Sequence, residues 1–302
     1  MKKTIKDWII ATKPWSFNVS CSAVILTAAY LLHRHIEYGG QYHWWNIIIA
    51  LVMIVCFHAA GNLLSDYRDF IYGIDKPGND NEVPWISGGL FKPKEIRNFG
   101  YIMLIPAILL GILLLCLSSW EVIWIGILGI IFTAGYSWFK FHALGDVDIL
   151  FCYAILPSLG TSFVVTGTYN FESVLVSFTY GLFTCGLLHY NNTRDIESDS
   201  AAGIVTMPIL VGRNISKLIY FVFEIAPYII VCILAASSIL PWETLIVFIT
   251  FPSALKLVRI MFSSTCAADL AGLDQANAKQ QLMFSLALLA GIIIGIIVEI
   301  II

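Results

Sequence analysis

The sequence predicts an all-α integral membrane protein, and two observations support that prediction. Hydrophobic residues make up 59% of the 302 residues and charged residues only 12%, which leaves too little polar surface to cover a water-soluble core. The apolar residues also form segments of about 20 residues, the length at which a helix spans a hydrocarbon core and satisfies its own backbone hydrogen bonds. We therefore expect transmembrane helices.

Nine segments reach that length, which predicts a single bundle of nine transmembrane helices in one domain, residues 1–302. They cover approximately residues 16–34, 44–64, 99–118, 120–138, 147–167, 172–190, 216–237, 242–262 and 282–302. A weak similarity between the connections after the second and sixth spans predicts two repeated halves, about 16–138 and 147–262, followed by the ninth helix at 282–302.

The basic residues predict the orientation of the bundle. All seventeen Lys and Arg residues except Arg34 fall before the first span or near connections that follow even-numbered spans. The positive-inside rule places the N-terminus and these connections in the cytoplasm and the C-terminus outside. We expect a multi-pass protein of the inner (cytoplasmic) membrane whose active site faces the cytoplasm. The net charge of −3 indicates no nucleic-acid partner, whereas the lipid bilayer is an expected one.

Two long polar connections on that side contain acids at helical spacing. The first, "GNLLSDYRDFIYGID", closes the second span. Its residues Asn62, Asp66 and Asp69 stand at i, i+4 and i+7, which places them on one face of a continuing helix. Ser65 lies four residues before Asp69, and Asp75 follows further along the connection.

The second polar connection, "LLHYNNTRDIESDS", closes the sixth span and places Asn191, Asp195 and Asp199 at i, i+4 and i+8. A solvated loop would be equally polar, but it would not explain this matched spacing. Two acidic faces at the same depth would repel each other unless cations lay between them. Magnesium meets this need, because it takes one or two carboxylates and completes its shell with water and substrate phosphate.

The predicted ligand is thus a magnesium-bound diphosphate at the cytoplasmic mouth of the bundle. If the diphosphate carries a long isoprenoid chain, the apolar interior can hold that chain. Metal binding turns the diphosphate into a leaving group. Aromatic rings then stabilise the remaining allylic cation by about 0.5 to 2 kcal/mol each.

These motifs resemble those of the UbiA superfamily of intramembrane aromatic prenyltransferases. The segment "NNTRDIESDSAAGIVTMPILVG" is most similar to the 1,4-dihydroxy-2-naphthoate polyprenyltransferases of menaquinone biosynthesis. The segments "KPWSF", "LGD" and "LGTSFVVTGTY" are similar to the same branch, so the resemblance covers nearly the whole chain. It implies transfer of a polyprenyl group from its diphosphate to the naphthoate, an aromatic quinone precursor, with loss of the carboxylate to give demethylmenaquinone.

The resemblance also implies roles for individual residues. Two magnesium ions bridging the diphosphate would be held by four carboxylates: Asp66, Asp69, Asp195 and Asp199. The candidates for substrate binding are Asn62, Ser65, Lys76, Lys92, Lys94, Lys140, Asn191, Asn192 and Arg194. Asp75 or Asp146 would orient or deprotonate the acceptor. Tyr136 either lines the prenyl pocket or belongs to the interfacial aromatic belt.

The sequence departs from the family pattern at three places, one of which is the loop after the first motif, where the family tends to carry Arg and this chain reads "NEVPWISGG". The family usually has Asn directly before the first Asp, where this chain has Ser65, with Asn62 one turn earlier. The family also tends to carry Lys or Arg after the "AG" of the second motif, where this chain has Ile204 and Val205. Contacts to the diphosphate are therefore expected from basic residues elsewhere: Lys76, Lys92, Lys94, Arg97, Lys140 and Arg194.

Two alternatives stay open from the sequence. The same chemistry could act on another acceptor: 4-hydroxybenzoate, homogentisate, haem or a glycerol phosphate lipid. Intramembrane carboxylates also mark ion pathways, so an ion-coupled transporter is a hypothesis from a different class. Transporters usually place their sites on broken helices near the midplane, whereas these acids lie at span ends.

Overall fold

The computed structural model describes residues 3–73 and 85–301. Within these residues, the expectation of nine helices long and apolar enough to cross a membrane is confirmed. They are Pro14–Tyr38, Trp45–Ile71, Pro93–Leu117, Trp120–Phe141, Gly145–Thr166, Phe171–Arg194, Arg213–Ala236, Trp242–Ser263 and Ala267–Ile301. The division into two repeated halves stays a prediction.

One short helix, α1 (Ile5–Ala11), precedes the first span. The first four spans are built from α2 (Phe17–Tyr38), α3 (Trp45–Ile71), α4 (Pro93–Leu117) and α5 (Ile123–Phe141). Short 3-10 turns, Pro14–Ser16 and Trp120–Val122, lead into α2 and α5.

The fifth span is a composite of α6 (Gly145–Leu150), a π-helical turn (Phe151–Ile155) and α7 (Leu156–Thr166). The sixth span is α8 (Phe171–Arg194), and two short helices, α9 (Ile196–Ala201) and α10 (Met207–Val211), follow it. The last three spans are α11 (Arg213–Ala236), a 3-10 segment (Trp242–Thr250) continued by α12 (Phe251–Ser263), and α13 (Asp274–Ile301), which follows a 3-10 turn (Ala267–Leu270).

The helix α1 lies against the polar end of the bundle. Its N-terminus is closed by a reciprocal capping box between Thr4 and Asp7. Its Trp8 ring packs against Phe91 and Phe99, with ring centroids 4.5 and 4.9 Å away. This aromatic contact holds the start of the chain beside the beginning of α4.

Both acid motifs lie on helical extensions of the predicted spans. The helix α3 continues past residue 64 to Ile71, so the first motif lies on one helix as expected. In the second motif α8 ends at Arg194 and α9 begins at Ile196, so this motif spans a break between two helices. The helical hydrogen bonds nevertheless continue across the break, because the Asp195 N–H donates to Asn191 O and the Asp199 N–H to Asp195 O.

The ninth helix begins eight residues before the predicted boundary, at Asp274 rather than residue 282. Its first turns carry buried polar side chains that bond inside the bundle. The Tyr220 hydroxyl donates to Asn277 Oδ1 over 2.6 Å, and Gln280 Nε2 donates to the Tyr228 hydroxyl over 2.9 Å. A boundary drawn from hydropathy excludes such residues, although their hydrogen bonds satisfy them in the interior.

The C-terminal half of α13 packs closely on the start of the eighth span. A Cβ added at Gly295 would lie 2.4 Å from Pro241 Cβ, and one at Gly291 would lie 2.5 Å from Thr244 Cα. Two glycines four residues apart therefore allow the two backbones to touch, as small residues do between membrane helices.

Candidate active site

A polar cavity of about 330 Å³ lies where both acid motifs end. Its walls come from the segment before α2, from α2, α3, α5, α6, the π-helical turn and α8, and from the start of α13. The charged residues of the described lining are Lys13, Asp66, Asp69, Lys140, Asp148, Arg194, Asp195 and Asp274. The structure thus brings carboxylates of both motifs to one cavity.

The first motif pairs its acids with lysines from other elements. Lys13 Nζ lies 2.8 Å from Asp66 Oδ1, and Lys140 Nζ lies 3.7 Å from Asp69 Oδ2. Ser65 donates to Asp69 Oδ2 over 3.4 Å. The second carboxylate oxygen of Asp69, Oδ1, is buried and has no hydrogen-bond partner.

Asn62 holds the chain segment before α2, which forms part of the cavity wall. Its Nδ2 donates to Thr12 O over 2.9 Å and to Ser16 Oγ over 3.1 Å. Between these two residues, Lys13 has φ 55° and ψ 58°, a left-handed conformation that non-glycine residues hold only when their surroundings fix it. Asn62 therefore fixes the bend from which Lys13 reaches Asp66.

In the second motif, Arg194 joins two acids. Its Nε and Nη2 each lie 2.7 Å from an oxygen of Asp195, and its Nη1 lies 3.0 Å from Asp274 Oδ2. Asn191 and Asn192 line the cavity beside this network, and Asn191 Oδ1 is buried without a partner.

Asp199 is buried next to the cavity rather than in its described lining. Burial raises the pKa of its carboxyl to about 6, with Asp195 and Asp69 acting in the same direction and Lys140 opposing them. These electrostatic neighbours show that Asp199 lies among the acids of both motifs.

The chemistry of these side chains fits magnesium. The described lining carries five carboxylates against three basic groups, so a diphosphate entering alone would be repelled. Asp69 Oδ1 and Asn191 Oδ1 are unpartnered oxygens of the kind that magnesium accepts as ligands. In the part of the chain that the structure describes, no three His, Cys, Asp or Glu side chains form a metal-binding group. Magnesium commonly uses only one or two carboxylates and adds water and substrate phosphate.

Several sequence candidates lie outside the cavity lining. Lys92 and Lys94 are exposed at the start of α4, where the Lys92 N–H donates to Glu95. Asp146 pairs with His189 over 2.7 Å instead of lining the cavity. Asp75 and Lys76 fall outside the described residues. In contrast, Tyr136 and Lys140 both line the cavity.

Three charged lining residues were missed as site candidates: Lys13, Asp148 and Asp274. Lys13 begins the "KPWSF" segment, and Asp148 is the second acid of "LGDVD". Asp274 opens α13 in a stretch that hydropathy left outside the ninth span. Lys13 and Asp274 belong to segments distant in sequence from the motif residues that they contact, Asp66 and Arg194.

An apolar cavity of about 240 Å³ adjoins the polar one. It is lined mainly by α3, α4, α5 and α7, and it shares four lining residues with the polar cavity: Ile54, Phe57, Thr133 and Cys152. It extends to Leu114 and Val122, near the far ends of α4 and α5. A ligand with a polar head and a long apolar tail fits this pair of cavities.

Comparisons with known proteins agree with this arrangement. A model of the UbiA prenyltransferase family matches residues 14–271. UbiA prenyltransferase domain-containing protein 1 of Danio rerio is 33% identical over 95% of this chain and 84% of its own length. The protein of the same name from Homo sapiens is 30% identical over 96% and 84%. These names state no aromatic acceptor.

Solved structures share the fold. A UbiA homologue from Aeropyrum pernix K1 superposes with a TM-score of 0.61 at 14% identity, covering 92% of this chain and 98% of its own. A UbiA homologue from Archaeoglobus fulgidus, solved with GPP and Mg²⁺, superposes with a TM-score of 0.52 at 11% identity, covering 94% and 99%.

Proposed function

The chain belongs to the UbiA prenyltransferase family, and on that premise we propose that it transfers a polyprenyl group from its diphosphate to 1,4-dihydroxy-2-naphthoate. The carboxylate is lost in the reaction, and the product is demethylmenaquinone. The observation that carries the proposal is the polar cavity, where acids of both motifs meet and which shares four lining residues with an apolar cavity.

The two motifs hold the diphosphate end of the donor. Asp66, Asp69, Asp195 and Asp199 would hold the magnesium ions. When bound, magnesium neutralises the diphosphate and stabilises the charge that develops on it as the leaving group. Lys13, Lys140 and Arg194 line the same cavity and supply N–H donors to phosphate oxygens.

The prenyl chain extends from this site into the apolar cavity. Phe57, Tyr136 and Tyr153 line the polar cavity, and Phe57 also lines the apolar one. We expect these rings to flank the allylic carbon, which becomes positive as its bond to the diphosphate breaks, because aromatic faces stabilise such a cation. The apolar walls keep water from this carbon and so favour attack by the acceptor ring.

The choice of naphthoate as acceptor rests on the second motif and the segment after it, "NNTRDIESDSAAGIVTMPILVG". We place the cavity mouth on the cytoplasmic side of the inner membrane, because the basic residues concentrate at that end of the spans. Membership of a prenyltransferase family leaves the transporter hypothesis without support.

The test is an acceptor assay on the full-length protein in lipid nanodiscs. Labelled polyprenyl diphosphate is incubated with 1,4-dihydroxy-2-naphthoate, 4-hydroxybenzoate, homogentisate, haem or a glycerol phosphate lipid, with magnesium or with EDTA. We expect product with the naphthoate, and only when magnesium is present. Product with 4-hydroxybenzoate and none with the naphthoate would contradict the proposed acceptor.

A further inference from the structure

Asp148 is a buried acid that belongs to neither of the two acid motifs. Its residue is 1% exposed, and neither carboxylate oxygen has a hydrogen-bond partner. It nevertheless lines the polar cavity. A buried carboxylate without partners is costly for a folded protein, so a partner supplied by a ligand in the cavity explains why this residue is present.

The position of Asp148 separates it from the diphosphate end. Cys152, one turn further along the same span, lines both the polar and the apolar cavity. Cys152 and Tyr153 lie within electrostatic range of Asp148. Asp148 therefore lies near the junction of the two cavities, where the reacting carbon of a bound prenyl donor would be.

The local backbone is built to hold this position. The π-helical turn Phe151–Ile155 begins three residues after Asp148, and π-turns in helices are frequent at functional sites. Gly181 of α8 allows close packing on that turn, because a Cβ at Gly181 would lie 2.5 Å from Ala154 Cβ. The span that carries Asp148 is thus packed tightly against α8.

The chemistry of the cavity limits which ligand groups can form a hydrogen bond with the Asp148 carboxylate. A diphosphate is repelled by a carboxylate, and a prenyl chain offers no hydrogen-bond donor. Tyr136 lines the same cavity and lies within electrostatic range of Asp148, Asp69 and Lys140. The remaining candidate is an uncharged hydrogen-bond donor group of the second substrate, which must come close to the prenyl carbon.

We propose that Asp148 binds the aromatic acceptor by accepting a hydrogen bond from one of its ring hydroxyls. This inference rests on the proposed function and deepens it by assigning the residue that orients the acceptor. A hydrogen bond to a carboxylate places more electron density on the hydroxyl oxygen and therefore on the ring, which makes the ring a better nucleophile. The role expected for Asp75 or Asp146 is thus assigned to Asp148.

The experiment measures acceptor binding by titration calorimetry, with the protein in nanodiscs holding magnesium and an unreactive prenyl thiodiphosphate. The probes are 1,4-dihydroxy-2-naphthoate and the two monohydroxy-2-naphthoates that each lack one hydroxyl. The wild type is expected to bind the analogue that lacks the contacted hydroxyl about tenfold more weakly than the dihydroxy acid. Asp148→Asn is expected to lose most of this discrimination, with the affinity for the thiodiphosphate unchanged.

The control is Glu224→Gln, which changes an equally buried acid of α11, 1% exposed and outside the described lining of the cavity. It should keep the full discrimination. Asp148→Ala serves as a second variant, and thermal unfolding confirms that each variant is folded. Discrimination in both Asp148 variants equal to that of the wild type would overturn the inference.

The outcome also separates this inference from the proposed function. If the wild type prenylates 4-hydroxybenzoate instead of the naphthoate, the proposed acceptor is wrong. The same comparison, made with 4-hydroxybenzoate and benzoate, then still decides the role of Asp148. If the wild type prenylates no aromatic acceptor, both proposals are wrong.

Discussion

Lys13 Nζ lies 2.8 Å from Asp66 Oδ1 and so ties the segment before the first span to the acid motif at the end of the second. The two side chains are 22% and 9% exposed, so the contact is largely sheltered from solvent. The left-handed backbone of Lys13, fixed by Asn62 on α3, makes this reach possible. A cation is therefore already held beside the site proposed for the diphosphate.

Replacing Lys13 should weaken donor binding. We expect Lys13→Met to raise the KM for polyprenyl diphosphate about tenfold, because it removes one charge-assisted contact to phosphate. The KM for the acceptor should not change. Initial rates at varied donor concentration measure the effect. Lys94→Met is the matched control, because Lys94 is exposed and lies outside the cavity lining. An unchanged donor KM in Lys13→Met would contradict its assigned role.

Removing one acid from either motif should abolish turnover. We expect Asp66→Ala and Asp195→Ala each to lower kcat at least about 100-fold, because each removes a proposed ligand of the ion that stabilises the leaving group. Magnesium titrations of the initial rate measure the loss, and thermal unfolding confirms the fold. Glu197→Ala is the control, because Glu197 is an exposed acid of the same segment that pairs with Arg213. Full activity in either Asp variant would refute the metal assignment.

Narrowing the apolar cavity should restrict the enzyme to donors with shorter prenyl chains. Gly129 of α5 lines this cavity, and a Cβ added there meets nothing within 4 Å. We expect Gly129→Phe to lower kcat/KM for a long polyprenyl diphosphate at least about tenfold while leaving geranyl diphosphate a substrate, because the added ring occupies space needed by the distal chain.

The control for this prediction is Ile131→Phe on the same helix. Ile131 is 50% exposed and outside the described lining of the cavity, so the enlarged side chain should point away from the prenyl chain. Product analysis with donors of increasing length measures both variants. Equal losses for short and long donors in Gly129→Phe would mean that the apolar cavity does not hold the chain.

A methyl group between α13 and the eighth span should destabilise the protein. A Cβ at Gly295 would lie 2.4 Å from Pro241 Cβ, so Gly295→Ala should cost about 1 to 3 kcal/mol by overpacking, despite the higher helix propensity of alanine. Gly126→Ala is the control, because its Cβ would meet nothing within 4 Å. Thermal unfolding in detergent should show a lower Tm for Gly295→Ala only. An equal Tm in the two variants would mean that the added methyl group at residue 295 is accommodated without loss of stability.

The sequence by itself determined the fold class, the nine spans and the two acid motifs. The physical reason is that each of these depends on neighbours along the chain. Span length follows from local hydropathy, and the placement of Asp66 and Asp69 on one face follows from helical periodicity. The UbiA family, too, follows from motifs that are contiguous in the sequence.

Only the tertiary structure decided which residues complete the cavity. Lys13 meets Asp66 across 53 positions, and Arg194 meets Asp274 across 80. Asp146 and Asp148 lie two residues apart in "LGDVD", yet one binds His189 and the other lines the cavity. The start of α13 depends in the same way on partners in other helices. Such contacts arise from the packing of distant helices, and local periodicity carries no information about them.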